Sequence, residues 1–284
     1  MLKKLLILCV VLFVICIVVI WLLGSSLSSP VNQPVGEQPD NLGAQSVEFQ
    51  SSSGSTIHGW FIERHEKPNA IILMHGVRAN RVSMIERARF LSNAGYSVLL
   101  FDFQAHGESQ GNNITFGYLE SKDAQAAVEF VHSRLPNAKI GVIGVSMGGA
   151  AALLATPQLD VHAIILEMVY PTIDRAVSNR LTARFGSLAA VLTPLLTFQL
   201  KPRLGISADE MRPIDHVESN HIPKLFIAGE LDNYTTLDES KALFHAASEP
   251  KQFWIVPNTG HVDFYPLVKE EYEQTVLSFF DNSL

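Results

Sequence analysis

Apolar positions follow two patterns in this chain. From Leu5 to Leu23 every residue is apolar, and Lys3-Lys4 stand before the run. Beyond Val47 the pattern changes to short apolar runs of strand length, separated by longer stretches with helical periodicity. Strands are expected near 47–50, 56–64, 70–74, 97–101, 139–143, 162–167, 224–228 and 252–256. Helices are expected near 83–94, 120–133, 147–155, 236–247 and 266–280, the fourth opening on Thr236 or Thr235 as N-cap. Strands alternating with helices predict an α/β domain over 45–284: a mainly parallel, eight-stranded sheet with helices on both faces. In such a sheet ligands bind at the carboxyl ends of the strands.

One connection is too long for this scheme. After the sixth strand, more than fifty residues separate Met168 from Lys224, where a few residues plus a helix are usual. Its centre, from Phe185 to Phe198, is strongly apolar. A largely helical insertion over 171–211 is expected, with Pro194 and Pro202 as breaks.

The first segment is separate from the domain. At about 1.5 Å per residue, the run from Leu5 to Leu23 spans roughly 28 Å, enough to cross a bilayer core. Trp21 near its far end suits an interface. A cleaved secretory signal has a shorter apolar region, and Ser26-Leu27-Ser28 is a weak cleavage site, so 1–24 is expected to be a retained signal anchor. The lysines keep their end cytoplasmic and put the domain outside, in a periplasmic or extracellular position. Residues 25–44, rich in Ser, Pro, Gly, Asn and Gln, predict a flexible tether. Both cysteines, Cys9 and Cys16, lie in the apolar run, which leaves the domain without a disulfide. The sequon Asn233-Tyr234-Thr235 would place a glycan beside a candidate catalytic acid, which favours a bacterial envelope. A formal charge of −7 offers no positive field for nucleic acid. No phosphate loop or metal-ligand spacing stands out, and no cofactor is expected.

The candidate chemistry centres on Ser146. It sits in Gly144-Val145-Ser146-Met147-Gly148, between an apolar strand and a stretch of strong helix formers. Strand, sharp turn and helix form the setting of a nucleophile elbow, where small neighbours let the backbone turn and lift the hydroxyl above the sheet. A serine hydroxyl needs a base, commonly a histidine held by a carboxylate. Downstream, the strand ending in Gly229 leads into Glu230-Leu231-Asp232-Asn233, and the last strand leads into Pro257-Asn258-Thr259-Gly260-His261. Among ten histidines only His261 follows a strand on a Gly-containing loop beyond a candidate acid. Asp232 is the preferred acid, with Glu230 the nearest rival; Asp238 falls in a first helical turn, where the helix dipole alone explains a carboxylate. Backbone N–H groups of Met147 and Val77 are the expected oxyanion donors, and His75 is expected to structure its loop. Arg78 and Tyr170 are candidate substrate contacts, with Asn80 a weaker one.

These motifs make the chain resemble the α/β-hydrolase superfamily from about Val47 onward. The resemblance rests on His75-Gly76, on Asp102 to Ser109, on the Ser146 elbow, on the Gly229 to Asp232 loop and on Gly260-His261. The stretch from Asp102 to Ser109 is similar to the D-x-x-G-x-G-x-S loop of many esterases, acylglycerol lipases and prolyl-type aminopeptidases, with Ala105 where a glycine is usual. A structural role for that loop, including His106 and Glu108, is what the resemblance implies; by the same analogy the insertion is a lid. The expected activity is hydrolysis of a partly hydrophobic carboxylic ester through an acyl-enzyme. An amide hydrolase or peptidase uses the same groups, and a non-catalytic envelope binding protein is the rival of another class. An apolar insertion suits either an acyl group beneath it or a membrane beside it.

Overall fold

A computed structural model describes residues 2–219 and 221–284. The main sheet contains β1 (Gln45–Gln50), β2 (Thr56–Ile62), β3 (Ala70–Met74), β4 (Ser97–Phe101), β5 (Ile140–Val145), β6 (Ala163–Glu167), β7 (Lys224–Gly229) and β8 (Lys251–Val256). Their order across it is β8-β7-β6-β5-β3-β4-β2-β1. The run from β4 to β8 is parallel, while β1 pairs antiparallel with β2 and β2 antiparallel with β4. The sheet is therefore mixed, because a short turn at Ser51–Ser55 folds β1 back on β2 as a hairpin and leaves no room for a crossover helix.

The helices are α1 (Leu2–Ser28), α2 (Ile85–Asn93), α3 (Glu120–Arg134), α4 (Met147–Leu154), α5 (Ile173–Phe185), α6 (Ala189–Thr197), α7 (Leu200–Leu204), α8 (Ile214–Val217), α9 (Leu237–Ala246) and α10 (Lys269–Ser283). Two apolar clusters flank the sheet. One packs α3, α4 and α9 against residues such as Ile72, Leu99 and Val142; the other packs α2 and α10 against Ile71, Leu73, Val98 and Ile143. The alternation of those residue numbers along β3, β4 and β5 is the two-residue strand period, with both faces covered. Thr236 caps α9 through a reciprocal capping box with Glu239.

The insertion after β6 is helical through α5, α6 and α7. Its ends are pinned together by Ile173 N–H to Met211 O at 3.0 Å and Ile214 N–H to Pro171 O at 3.1 Å. Pro194 does not break the helix, contrary to expectation: α6 runs through it. Its missing N–H removes one internal hydrogen bond, while its own carbonyl still accepts from Phe198 N–H at 3.0 Å. Pro202 falls in the first turn of α7, where an N–H would lack a helical acceptor anyway. The real breaks are at Gly186, with φ of 58°, and Gly205, with φ of 76°.

Residues 25–44, expected as a flexible tether, are held along the domain. α1 continues to Ser28, whose carbonyl accepts Ile114 N–H at 2.8 Å. Val31 and Asn32 pair with His106 and Gly107, and Asn32 Nδ2 donates to Ser109 O at 2.7 Å. Leu42 is buried. Polar composition signalled solubility of this stretch but not the backbone groups waiting for it in the 106–109 loop.

Candidate active site

Ser146 occupies the turn between β5 and α4 with φ of 50° and ψ of −110°, a conformation that L-residues rarely adopt. Ser146 N–H donates to Glu167 O at 2.7 Å, and its carbonyl accepts Ala150 N–H at 3.0 Å, so the strained residue is held from both sides. Gly148 is required by close approach, since a Cβ there would sit 2.3 Å from Met74 O. α4 thus starts against the end of β3, with the N–H groups of its first turn lacking helical acceptors.

The ends of β7 and β8 bring Asp232 and His261 together. Asp232 Oδ1 accepts Tyr234 N–H at 2.7 Å and Thr235 N–H at 2.9 Å. Its other oxygen meets His261 Nδ1 at 2.7 Å. The carboxylate is buried and the imidazole half-buried, conditions in which a charge-assisted contact is strong. Glu230 is exposed and accepts Asn258 N–H at 2.8 Å, which steadies the loop before His261 but leaves its carboxylate off the imidazole. Among the described residues no hydrogen bond joins Ser146 Oγ to His261 Nε2; such contacts commonly tighten only once substrate binds.

The loops after β3 and β4 are joined by two buried histidines in the same neutral form. His75 Nδ1–H donates to Gly76 O at 2.7 Å and its Nε2 accepts Phe103 N–H at 3.1 Å. His106 Nδ1–H donates to Gln104 O at 2.8 Å and its Nε2 accepts Arg78 N–H at 3.1 Å. With both nitrogens engaged and both rings buried, protonation is opposed. Burial, followed by the neighbouring His106, takes the His75 pKa down to about 3, and burial lowers that of His106. His106 thereby fixes the backbone of Arg78, which has φ of 60°, and with it the segment carrying Val77. That segment lies beside Ser146: a Cβ on Gly76 would stand 3.8 Å from Ser146 Cβ.

Asp102 closes the β4 loop. It is buried, accepts Arg81 N–H at 2.7 Å and Glu108 N–H at 2.9 Å, and pairs with the Arg81 guanidinium at 2.5 Å. Ser109 Oγ donates to Asp102 O at 2.7 Å and accepts His58 N–H at 2.9 Å. Ala105 has φ of 59°, the conformation that makes a glycine usual there. Of the two candidate substrate contacts, the Arg78 guanidinium donates to Ser26 O at 3.3 Å, and the buried Tyr170 hydroxyl donates to Phe116 O. Both are engaged in holding the protein's own chain.

A network unmarked in the sequence lies beneath the site. Glu167, at the end of β6, is buried and pairs with Arg87 of α2 at 2.8 Å, and Tyr272 of α10 donates to it. Arg87 also pairs with Asp263 at 2.8 Å, two residues beyond His261. Opposite charge outweighs burial and keeps the Arg87 pKa well above its ordinary value. The same Glu167 whose carbonyl holds Ser146 N–H is thus tied through Arg87 to the histidine loop.

The strand–turn–helix at Ser146, on a mixed sheet that is parallel from β4 to β8, has the arrangement of the α/β-hydrolase fold. The model of the family described as serine aminopeptidase, S33, matches residues 65–210, just over half of the chain, and the chain belongs to that family. A second model, for PhoPQ-activated pathogenicity-related protein, matches residues 193–283. The chain is 29% identical over 236 residues to the uncharacterized protein YqkD of Bacillus subtilis, covering 82% of this chain and 77% of that one. It is 29% identical over 259 residues to the uncharacterized protein YfhR of Escherichia coli O157:H7, covering 87% and 84%. In fold it is similar to the Pyrococcus furiosus esterase Pf2001, with a TM-score of 0.73, 24% identity and coverage of 90% of this chain and 99% of that one.

Proposed function

We propose that the protein is a serine hydrolase that cleaves carboxylic esters through an acyl-enzyme. The observation that carries this reading is the pairing of His261 Nδ1 with the buried Asp232 carboxylate at 2.7 Å, downstream of a serine on a strained strand–helix turn. In the proposed cycle His261 Nε2 takes the proton of Ser146 Oγ as that oxygen bonds to the ester carbonyl carbon. The Met147 and Val77 N–H groups receive the resulting oxyanion. Collapse breaks the bond to the alcohol, which leaves with the proton from His261, and the acyl group remains on Ser146. Water, deprotonated by His261, then releases the carboxylic acid and restores the serine. Asp232 keeps the proton on Nδ1 and offsets the imidazolium charge.

The 171–211 insertion is proposed as a lid. Its pinned ends form a narrow stem at the carboxyl end of β6, next to the site. α1 is proposed as a signal anchor with the domain extracytoplasmic, on its length, its mean hydropathy of 3.6 and the lysines before it. The insertion touches α1 through Gln199, between α6 and α7, whose Nε2 donates to Ile20 O at 3.1 Å, and through Arg203 of α7, whose Nη2 donates to Trp21 O at 2.6 Å. Leu188, Val191, Leu195 and Phe198 are exposed on the insertion at helical spacing, an apolar stripe suited to a bilayer beside the anchor. A partly hydrophobic acyl ester fits that placement.

The test is turnover by the full chain in detergent against a panel of acyl esters and aminoacyl amides. Ester hydrolysis well above amide hydrolysis is expected. Amide hydrolysis in excess would make the protein a peptidase or amidase, and turnover of neither would reject the hydrolase reading.

A further inference from the structure

Two arginines of α5 differ in their company. Arg175 faces the Glu239 carboxylate of α9 at 4.0 Å, and Asn179 donates to the same carboxylate at 2.6 Å. Arg180, further along the helix, has no carboxylate within ion-pair distance among the described residues. Its hydrogen bond runs from Nη1 to Ala176 O at 3.1 Å, within its own helix. A guanidinium carries five N–H donors, and those of Arg180 not used within the helix are open to an acceptor group.

The position of this cation relates it to the chemistry. Its Cζ stands 5.1 Å from the centre of the Tyr234 ring, and that ring lies 5.7 Å from the His261 ring. Only one aromatic ring thus separates the guanidinium from the proposed base. Burial lowers the Arg180 pKa, against the opposing pull of Tyr170, Asp232 and Tyr234. None of those neighbours offers it an ion pair: Asp232 is engaged by His261 and two backbone N–H groups, and the Tyr170 hydroxyl by Phe116 O. The charge is partly desolvated, unneutralised and carried on the element proposed as a lid.

We propose that Arg180 is a specificity-determining residue that binds an anionic oxygen group of the substrate, a carboxylate or a phosphate, so that the preferred ester carries negative charge a few bonds from its scissile carbonyl. The planar fork of a guanidinium accepts either group bidentately. Binding would neutralise the cation and draw α5 over the site. This rests on the ester-hydrolase reading and adds a substrate class to it.

The experiment compares the 4-nitrophenyl monoester of glutaric acid, a phosphate-terminated ester of similar length and neutral 4-nitrophenyl pentanoate, using the full chain in detergent. One charged ester is expected to exceed the neutral one at least about tenfold in kcat/KM, the scale of one charge-assisted hydrogen-bonded contact. Which charged ester leads identifies the group. Arg180→Gln should remove that preference through KM while changing neutral-ester turnover less than about twofold, and Arg180→Lys should restore part of it. Equal kcat/KM for charged and neutral esters in the wild type would overturn the proposal, as would an equal loss of both in a folded Arg180→Gln protein. Should that variant fail to fold, wild type alone decides: added salt should raise KM for the charged ester and leave the neutral one flat, and two flat profiles would overturn it. Fluorophosphonate labelling of Ser146 separates the two levels. Labelled protein without charge preference sinks only the Arg180 assignment; protein that neither labels nor turns over ester sinks the hydrolase reading with it.

Discussion

The strand ends and the helical insertion are neighbours built on opposite terms. Around Ser146, Asp232 and His261 the buried polar groups form linked sets: His75 with His106, Asp102 with Arg81, and Glu167 with Arg87 and Tyr272. Each residue has directional partners, although Arg81 Nε has none among the described residues, and such contacts restrict the backbone around the site. The insertion instead lodges Ile173, Ala176 and Leu200 in the core beneath it, sets Leu181, Ala189 and Leu196 with Ile20 in a separate small apolar cluster, and shows its other apolar side outward. Apolar contacts of that kind are non-directional and tolerate sliding. On the proposed reading the difference separates precision from access: directional contacts hold the site, while the insertion proposed as a lid is held by apolar contacts.

The largest contrast within the rigid region should lie between two carboxylates of one loop. Asp232→Asn loses the acceptor that fixes the His261 tautomer and should lower ester turnover on the order of 10⁴-fold, with the fold intact by circular dichroism. Glu230→Gln removes a carboxylate that braces Asn258 N–H and should retain most activity. The opposite ranking would move the acid to Glu230.

Stability should divide the regions next. Arg87→Met strands the buried Glu167 carboxylate and should cost about 3–5 kcal/mol in urea unfolding. Leu196→Ala, on the insertion, should cost about 2 kcal/mol, because its surroundings can close over the gap. Equal costs would mean that the insertion is as firmly built as the sheet.

Acid should act on the rigid region by a smaller amount. Burial holds the pKa of folded His75 down to about 3 against the ordinary 6.5, so below pH 6.5 the unfolded chain binds the proton that the folded chain refuses. Its contribution is full above that value and is lost as pH falls from about 6.5 toward 3. Thermal midpoints measured between pH 7 and 4 should decline, and the decline should be shallower in His75→Gln. An unchanged slope would remove His75 from this role.

Much of this architecture was legible in the chain. The eight strands announce themselves as short β-branched runs because both faces of most are covered, and the elbow, Asp232 and His261 each follow a strand at the spacing the fold demands. The Glu167–Arg87–Tyr272–Asp263 network was not legible, since its members come from distant elements and carry no local pattern. Nor was the docking of residues 25–44: their polar composition reports side chains, whereas β-pairing of Val31 and Asn32 engages backbone. Pro194 misled because a proline signals a lost hydrogen bond, and α6 accepts that loss. Arg180 was hidden for a related reason, as only the fold shows that an arginine on an insertion helix stands one ring away from a loop histidine.

Ser146 is proposed as the nucleophile and His261 as its activating base. That assignment is tested most directly by exposing the full chain to a fluorophosphonate and locating the adduct by mass spectrometry. One phosphonyl group on Ser146 of the wild type is expected, with none in Ser146→Ala and labelling slowed by orders of magnitude in His261→Ala. An adduct on another residue, or undiminished labelling in either variant, would contradict it.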